Sequence, residues 1–509
     1  MSSDSSPDTG LRRGRLGTVH LVFFTVAASA PLTVLGGGIT TMYAVSGNVG
    51  AALAFLLLAA VLGVFAVGYA AMSRFVGNAG AFYSWIANGL GRVAGVGASF
   101  VALASYNAIQ IGLYGLFGAV LDAFVTTKFG VDRPWWVWAL AGLAVVGVLG
   151  VLQVDLNATV LAVVLLLECL AVVVFDVVAF RNPAGGSVTL AGLDPGNLFA
   201  AGLGAVFALG IASFTGFESG ALYGEEVRDP RRTVARATYV AVAFTGAFYA
   251  LSAWALTVLT GPENAQAATA GDGPGVVFGS LGAHAGGTVA DVANLVFITS
   301  VLAALLSFHN AVARYLFALG RERVLPAFLS RTGARTGAPA GGSLAQTVLA
   351  LGAVLAFVLA GRDPVLDLFT WLSGLSAVGV VLLMTLTSAS VLGFFHRRPE
   401  AGVNAWQRLV APALATVLLL AVLVVLLVNF DALLAPGNPG YLAWLLPGVT
   451  LVAALLGLGW GLLLRARRPA VYEAVGRGAV DPPAAETPEP APTVDLSRSA
   501  DLTRSADLP

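Results

Sequence analysis

Apolar runs long enough to cross a bilayer recur along the whole chain, separated only by short polar turns. A spanning helix needs roughly 20 apolar residues. Twelve spans are predicted, at 18–46, 50–74, 92–126, 135–153, 157–180, 197–222, 234–260, 284–319, 341–361, 364–393, 407–431 and 441–464. The charge content agrees. Only 11% of the 509 residues are charged, 27 basic and 27 acidic, where a soluble domain carries about 25%. Mean hydropathy is +0.86. So few charges cannot cover a water-facing surface, and the expected class is an all-α integral membrane protein.

The same composition excludes several functions. A net charge of zero argues against a nucleic-acid partner, which needs a basic face. Cys169 is the only cysteine, so no disulfide framework or cysteine-rich metal site is expected. Lys128 is the only lysine, which removes the phosphate-binding loop that ends in Gly-Lys-Ser/Thr. Four histidines and no clustered ligands leave nothing to build an enzyme or a metal centre on. No filter repeat suggests a channel. No cofactor is called for.

Arginines set the expected orientation. With a cytoplasmic N-terminus, the inner segments hold Arg12, Arg13, Arg15, Arg74, Arg92, Arg228, Arg231, Arg232, Arg236, Arg321, Arg323, Arg331, Arg335, Arg397, Arg398, Arg408, Arg465, Arg467 and Arg468. The outer loops hold Lys128, Arg133, Arg181 and Arg362. Both ends are therefore expected in the cytoplasm, with an even number of spans. The start is polar and the first apolar run is too long for a cleavable signal. Residues 1–16 and 467–509 read as disordered ends, the latter rich in Pro, Ala and Glu. The sequon at Asn157 falls in an expected cytoplasmic turn.

Two spans carry helix breakers near their middles. The first has Pro31 and then Gly36, Gly37 and Gly38; the sixth has Ser213-Phe214-Thr215-Gly216-Phe217-Glu218. A helix in lipid satisfies its own backbone, so breaks at that depth need a reason. Two breaks five spans apart point to an inverted-repeat transporter with its substrate between them. Glycine lets a backbone unwind. Amides freed at the start of a half-helix suit a carboxylate, and carbonyls freed at the end of one suit an ammonium. A broken pair therefore fits an α-amino acid. Close helix packing is the alternative use of the glycines.

At these residues the chain resembles the amino acid–polyamine–organocation (APC) permeases. The sixth-span stretch Phe214–Glu218 and the following Gly224-Glu225-Glu226-Val227-Arg228-Asp229-Pro230-Arg231-Arg232-Thr233 carry the resemblance. Asn310, Arg314, Ala318–Arg323 and Leu325-Pro326 in the eighth span, Ala30–Leu32 and Gly36–Ile39 in the first, and Gly77–Tyr83 after the second agree with it. The resemblance covers about residues 17 to 465. It implies the five-plus-five inverted repeat of the leucine-transporter type, with repeats at about 17–182 and 195–395 inside a core of 17–395, and helices eleven and twelve (396–466) outside it. By position it implies that Gly36, Gly37, Gly38 and Ile39 bind a substrate carboxylate through their amides. Ala212, Ser213, Phe214 and Thr215 would bind the amine and shape the side-chain pocket, and Phe214 and Phe217 would gate it. Several relatives have tryptophan where Ala212 stands, which suggests a roomier pocket here.

Ionisable groups at membrane depth are functional candidates. Glu218, just past the sixth-span break, is the first choice for proton coupling; Glu168 in the fifth span is the second, with Arg314 as a possible partner. Asp176 and Asp291 read as solvated or capping, and His309 as a satisfied packing residue. Tyr106, Gln110 and Tyr114 share a face of the third span, where Tyr106 and Gln110 could meet the substrate. Thr299, Ser300 and Ser307 offer hydroxyls, though such groups usually bond their own helix. Glu225 and Glu226 with the nearby arginines form a candidate inner salt-bridge cluster. The expected function is plasma-membrane transport of an amino acid by alternating access, as proton-coupled uptake. A polyamine or organic-cation carrier, or an exchanger, is the alternative. The partners expected are a small-molecule substrate and lipid; oligomeric state stays open.

Overall fold

The computed structural model describes residues 21–23, 25–26, 29–76, 81–152, 158–218, 230–333, 337–398, 402–435 and 437–476. Among these the chain is helical throughout, without a strand. The first expected span is interrupted before Pro31; its second part, α1, runs as Pro31–Thr33, a π-helical Val34–Ile39 and Thr40–Ser46. Then follow α2 (Ala51–Met72), the short α3 (Ala81–Gly89), α4 (Arg92–Phe129), α5 (Trp135–Leu152) and α6 (Ala158–Arg181). The next helix, α7 (Leu203–Phe214), is short. After it come α8 (Pro230–Thr260), two short helices α9 (Ala265–Asp272) and α10 (Gly275–Ala285), α11 (Gly287–Arg321), α12 (Ala340–Leu359), α13 (Pro364–His396), α14 (Trp406–Val428) and α15 (Leu442–Arg467). A last turn, α16, covers Pro469–Ala474.

Ten of these helices are long and apolar enough to span a bilayer, where the sequence predicts twelve. The first and sixth expected spans are not among the ten: they are interrupted at Ala30 and after Phe214, and part of each lies outside the described residues. Large apolar side chains such as Val428, Trp444 and Leu455 stand more than half exposed on the outer helices. That is tolerable only in an apolar solvent. Two helices the sequence did not signal, α9 and α10, fill the link before α11. They are too short and too rich in small residues to carry a spanning pattern.

Helix α4 is the central post. Lipid offers no hydrophobic drive for helices to associate, so small residues that allow close approach do that work. A Cβ on Gly97 would lie 2.9 Å from Leu458 of α15, and one on Gly112 3.3 Å from Leu372 of α13. At the C-terminal end of α4 Lys128 pairs with Asp291 of α11 at 2.6 Å, both half-exposed; Asp291 is thus solvated, as expected, and ion-paired as well.

The N-terminal end of α4 holds a surprise. The tail predicted to be disordered from 467 continues as described structure to Gly476. Val475 is buried, and Tyr472 lies 5.6 Å beneath the Arg92 guanidinium. The Ser84 hydroxyl donates to the Gly476 carbonyl at 2.9 Å, and the Gly476 amide donates to Glu322 at 3.3 Å. Gly476 has φ +77, and a Cβ there would sit 2.9 Å from that of Ala87. Gly476→Val is therefore expected to release the tail, since a β-branched residue disfavours this backbone by about 1–2 kcal/mol. Hydrogen exchange should become faster across Tyr472–Gly476 and stay unchanged in α4; equal protection in the variant would refute the docking.

Candidate functional site

The break in the first span lies at Ser29 and Ala30, not at the glycines. Ala30 adopts a left-handed conformation, φ 43, and Pro31 opens the new helix. Proline suits that first position because its missing amide has no helical partner to lose. The glycines expected to unwind are instead helical, inside the wide π-turn. Their reason is proximity. A Cβ on Gly36 would meet Phe297 of α11 at 3.0 Å, one on Gly37 would meet Leu116 of α4 at 2.5 Å, and one on Gly38 would meet Ser213 of α7 at 3.1 Å. Each glycine admits a different neighbouring helix. Thr40 donates its hydroxyl to the Gly36 carbonyl at 2.6 Å.

The sixth-span break falls where the sequence puts it. Helix α7 stops at Phe214, Thr215 turns to ψ 127, and Gly216 has φ 116. The chain then folds back on the buried Glu218. Its carboxylate accepts the Tyr106 hydroxyl and, at 3.0 Å, the Gly216 amide. The Tyr69 hydroxyl donates to the Glu218 carbonyl at 3.0 Å. The Glu225–Arg232 cluster lies outside the described residues or side chains, as does the Asn157 sequon.

The two interruptions face one another across a small cavity with about 40 Å³ of water-accessible volume. That is room for a few waters at most. Of the residues expected there, Gly38, Ala212, Ser213 and Thr215 line it. Gly36, Gly37, Ile39, Phe214, Tyr106 and Gln110 do not. Ser29, Ala30, Thr33, Ile109, Leu113, Phe308, Phe369 and Ser373 line it without having been foreseen. Phe308 of α11 and Phe369 of α13 line the cavity together with Ala212. Ile109 and Leu113 were legible as one apolar face of α4, at a spacing of four; the polar face drew the reading instead. Among the described residues no charged side chain lines the cavity.

Gln110 turns the other way. It bonds Gln346 of α12, and its amide donates to the Tyr114 hydroxyl at 3.1 Å. His309 of α11 lies beside it and bonds Ser343 at 2.7 Å, the satisfied packing role the sequence assigns it. Phe214 packs among Phe55 and Tyr249, with ring centroids 6.0 and 6.1 Å away, and Phe217 packs 6.1 Å from Phe65. Both rings point into helix contacts.

Glu168 of α6 is buried and bonds the Ser300 hydroxyl and the Leu32 backbone amide. That amide belongs to the first turn of α1, where a helix has amides to spare and favours negative charge. Its Oε2 has no hydrogen-bond partner. Thr33 bonds Ser300 at 2.8 Å, and the Tyr249 hydroxyl donates to the Ser29 carbonyl at 3.1 Å. Arg314 is no partner for Glu168: at 1.5 Å per residue it sits roughly 20 Å beyond Ser300 along α11. Asp176, expected to be solvated, is buried and accepts from Ser252 at 3.2 Å. Thr299 bonds back to Val296 at 2.8 Å. No group of three or more potential metal ligands occurs among the described residues.

Comparison with known proteins follows the same lines. The family model described as amino acid permease matches residues 16–452. An uncharacterized transporter of Mycobacterium tuberculosis is 30% identical over 190 residues, 37% of this chain and 40% of that protein. The match thus spans about two-fifths of that transporter's length. The L-asparagine permease of Salmonella typhimurium is 26% identical over 412 residues, 75% of this chain and 76% of the permease. A branched-chain amino acid permease of Lactococcus lactis is 25% identical over 357 residues, 65% of this chain and 73% of its own.

Proposed function

This chain belongs to the amino acid permease family of the APC superfamily, and from that premise we propose that it carries an α-amino acid across the plasma membrane by alternating access, driven by protons. The observation that carries this reading is the meeting of two helix interruptions, Ala30–Pro31 and Thr215–Gly216, on one buried cavity. Helix starts favour a carboxylate and helix ends an ammonium, so the pair recognises the part that all α-amino acids share. The relatives named for L-asparagine and for branched-chain amino acids differ in side chain and agree in that part. The interrupted helices supply the remaining two of twelve spans in a five-plus-five repeat, and the arginine bias puts both termini in the cytoplasm.

Coupling falls to two of the buried carboxylates, Glu218 and Glu168. Glu218 ties the end of the broken sixth span to α4 through Tyr106. Glu168 holds the first turn of α1 against α11 through Leu32 and Ser300. Each links a broken helix to an unbroken one. A change of protonation at either alters hydrogen bonds that hold a broken helix against its neighbour.

Uptake into proteoliposomes tests the proposal. With an inward proton gradient and no sodium, at least one labelled L-amino acid should accumulate, and collapse of the gradient should stop it. Accumulation that requires sodium would displace protons as the driver. Exchange from preloaded vesicles without net uptake would make the protein an exchanger.

A further inference from the structure

The cavity's hydroxyl groups are not equivalent. Ser213 donates to the Leu209 carbonyl at 2.7 Å, Thr215 to Ile211 at 3.1 Å and Ser29 to Thr25 at 3.4 Å. Thr33 is engaged with Ser300 at 2.8 Å. Serine and threonine in helices commonly satisfy themselves in this way. Ser373 of α13 does not. It is fully buried, it lines the cavity, and its Oγ has no hydrogen-bond partner. Ser376 and Thr387 on the same helix also lack partners, but neither lines the cavity. A buried unpaired hydroxyl is costly, and in a ligand site its missing partner is the ligand.

The rest of the wall is apolar. Ile109 and Leu113 come from α4, Phe308 from α11, and Phe369 stands four residues before Ser373 on the same face of α13. Among the described residues no charged side chain lines the cavity. Glu218 is held by Tyr106 and Gly216, and Glu168 by Leu32 and Ser300. A cationic side chain would enter without a counter-ion, which is prohibitive at this depth. A purely aliphatic one would leave Ser373 unpaired.

We infer that Ser373 determines specificity, and that the substrate is an amino acid with a short, uncharged side chain ending in a hydroxyl or carboxamide. The inference rests on the transport function proposed above and adds the side-chain class to it. Phe308 and Phe369 set the length limit, and Ser373 supplies a hydroxyl hydrogen that no protein acceptor already holds. Sites that hydrogen-bond a substrate group discriminate against analogues that lack it.

The test compares uptake of L-asparagine, L-glutamine, L-serine and L-threonine with L-leucine, L-valine, L-arginine and putrescine in proteoliposomes. The wild type should prefer the first group. Ser373→Ala should raise KM for the preferred substrate about 3- to 10-fold, the worth of one neutral hydrogen bond, and by less for L-leucine. Ser373→Cys, which keeps the size and weakens the bond, should fall between. A wild-type preference for arginine, putrescine or leucine would overturn the inference. So would equal KM shifts for every substrate in Ser373→Ala, which would mark a structural residue. Flux of no amino acid at all would instead sink the transport reading, and this inference with it.

Discussion

Glu218→Gln is expected to cut gradient-driven accumulation at least tenfold while exchange between preloaded and external substrate survives. Glutamine keeps the size of the buried side chain. Its oxygen can accept the Gly216 amide, and its NH₂ can donate to the Tyr106 oxygen once that hydroxyl turns. The geometry is preserved and only the capacity to take up or release a proton is lost. Counterflow and uptake in the same proteoliposomes separate the two effects. Full accumulation by the variant would remove Glu218 from the coupling mechanism and leave Glu168 as the candidate. Glu218→Ala should behave differently. It strands the Tyr106 hydroxyl and the Gly216 amide, at about 1–3 kcal/mol for each buried group left unpaired. Thermal stability of the purified protein should fall with alanine and hold with glutamine.

Gly37→Val is expected to abolish most transport. A Cβ at this position lies 2.5 Å from Leu116 of α4, and overpacking of this kind typically costs about 1–3 kcal/mol. The strain falls where α1 crosses α4, the contact that must slide if the broken helix rocks. Uptake should drop more than tenfold in a protein that still purifies as a folded species. Gly63→Ala serves as the control. A Cβ at Gly63 meets nothing within 4 Å, and alanine is the better helix former by about 0.5–1 kcal/mol. Wild-type uptake by Gly37→Val would show that this crossing tolerates bulk and does not move as proposed.

The first span shows how far a sequence can mislead about a break while pointing to the right helix. Three consecutive glycines have two physical uses, unwinding and close approach. One sequence cannot distinguish them, because the outcome depends on Phe297, Leu116 and Ser213 arriving from distant segments. Pro31 was the better sign, since proline so often opens a helix. The sixth span was easier. Thr215-Gly216 ends the helix by local conformation, and the positive φ of Gly216 is a requirement glycine meets alone. Gln110 and the two phenylalanines stand off the cavity for a related reason. Spacing placed them on a helix face, but not the direction in which that face was turned.

The membrane class, the span boundaries to within a few residues at most positions and the two interrupted helices were determined by the sequence alone. These follow from local rules: the thickness of a bilayer, the obligation of backbone in lipid to satisfy itself, and the conformations open to glycine and proline. The residues that face the cavity, the capture of Glu168 by the Leu32 amide, the pairing of Glu218 with Tyr106, the return of the tail to Ser84 and the unpaired hydroxyl of Ser373 were decided by the tertiary structure. Each joins groups far apart in the chain. Which side chain finds a partner across a helix interface depends on how every helix is rotated, and close packing of all of them together fixes that rotation.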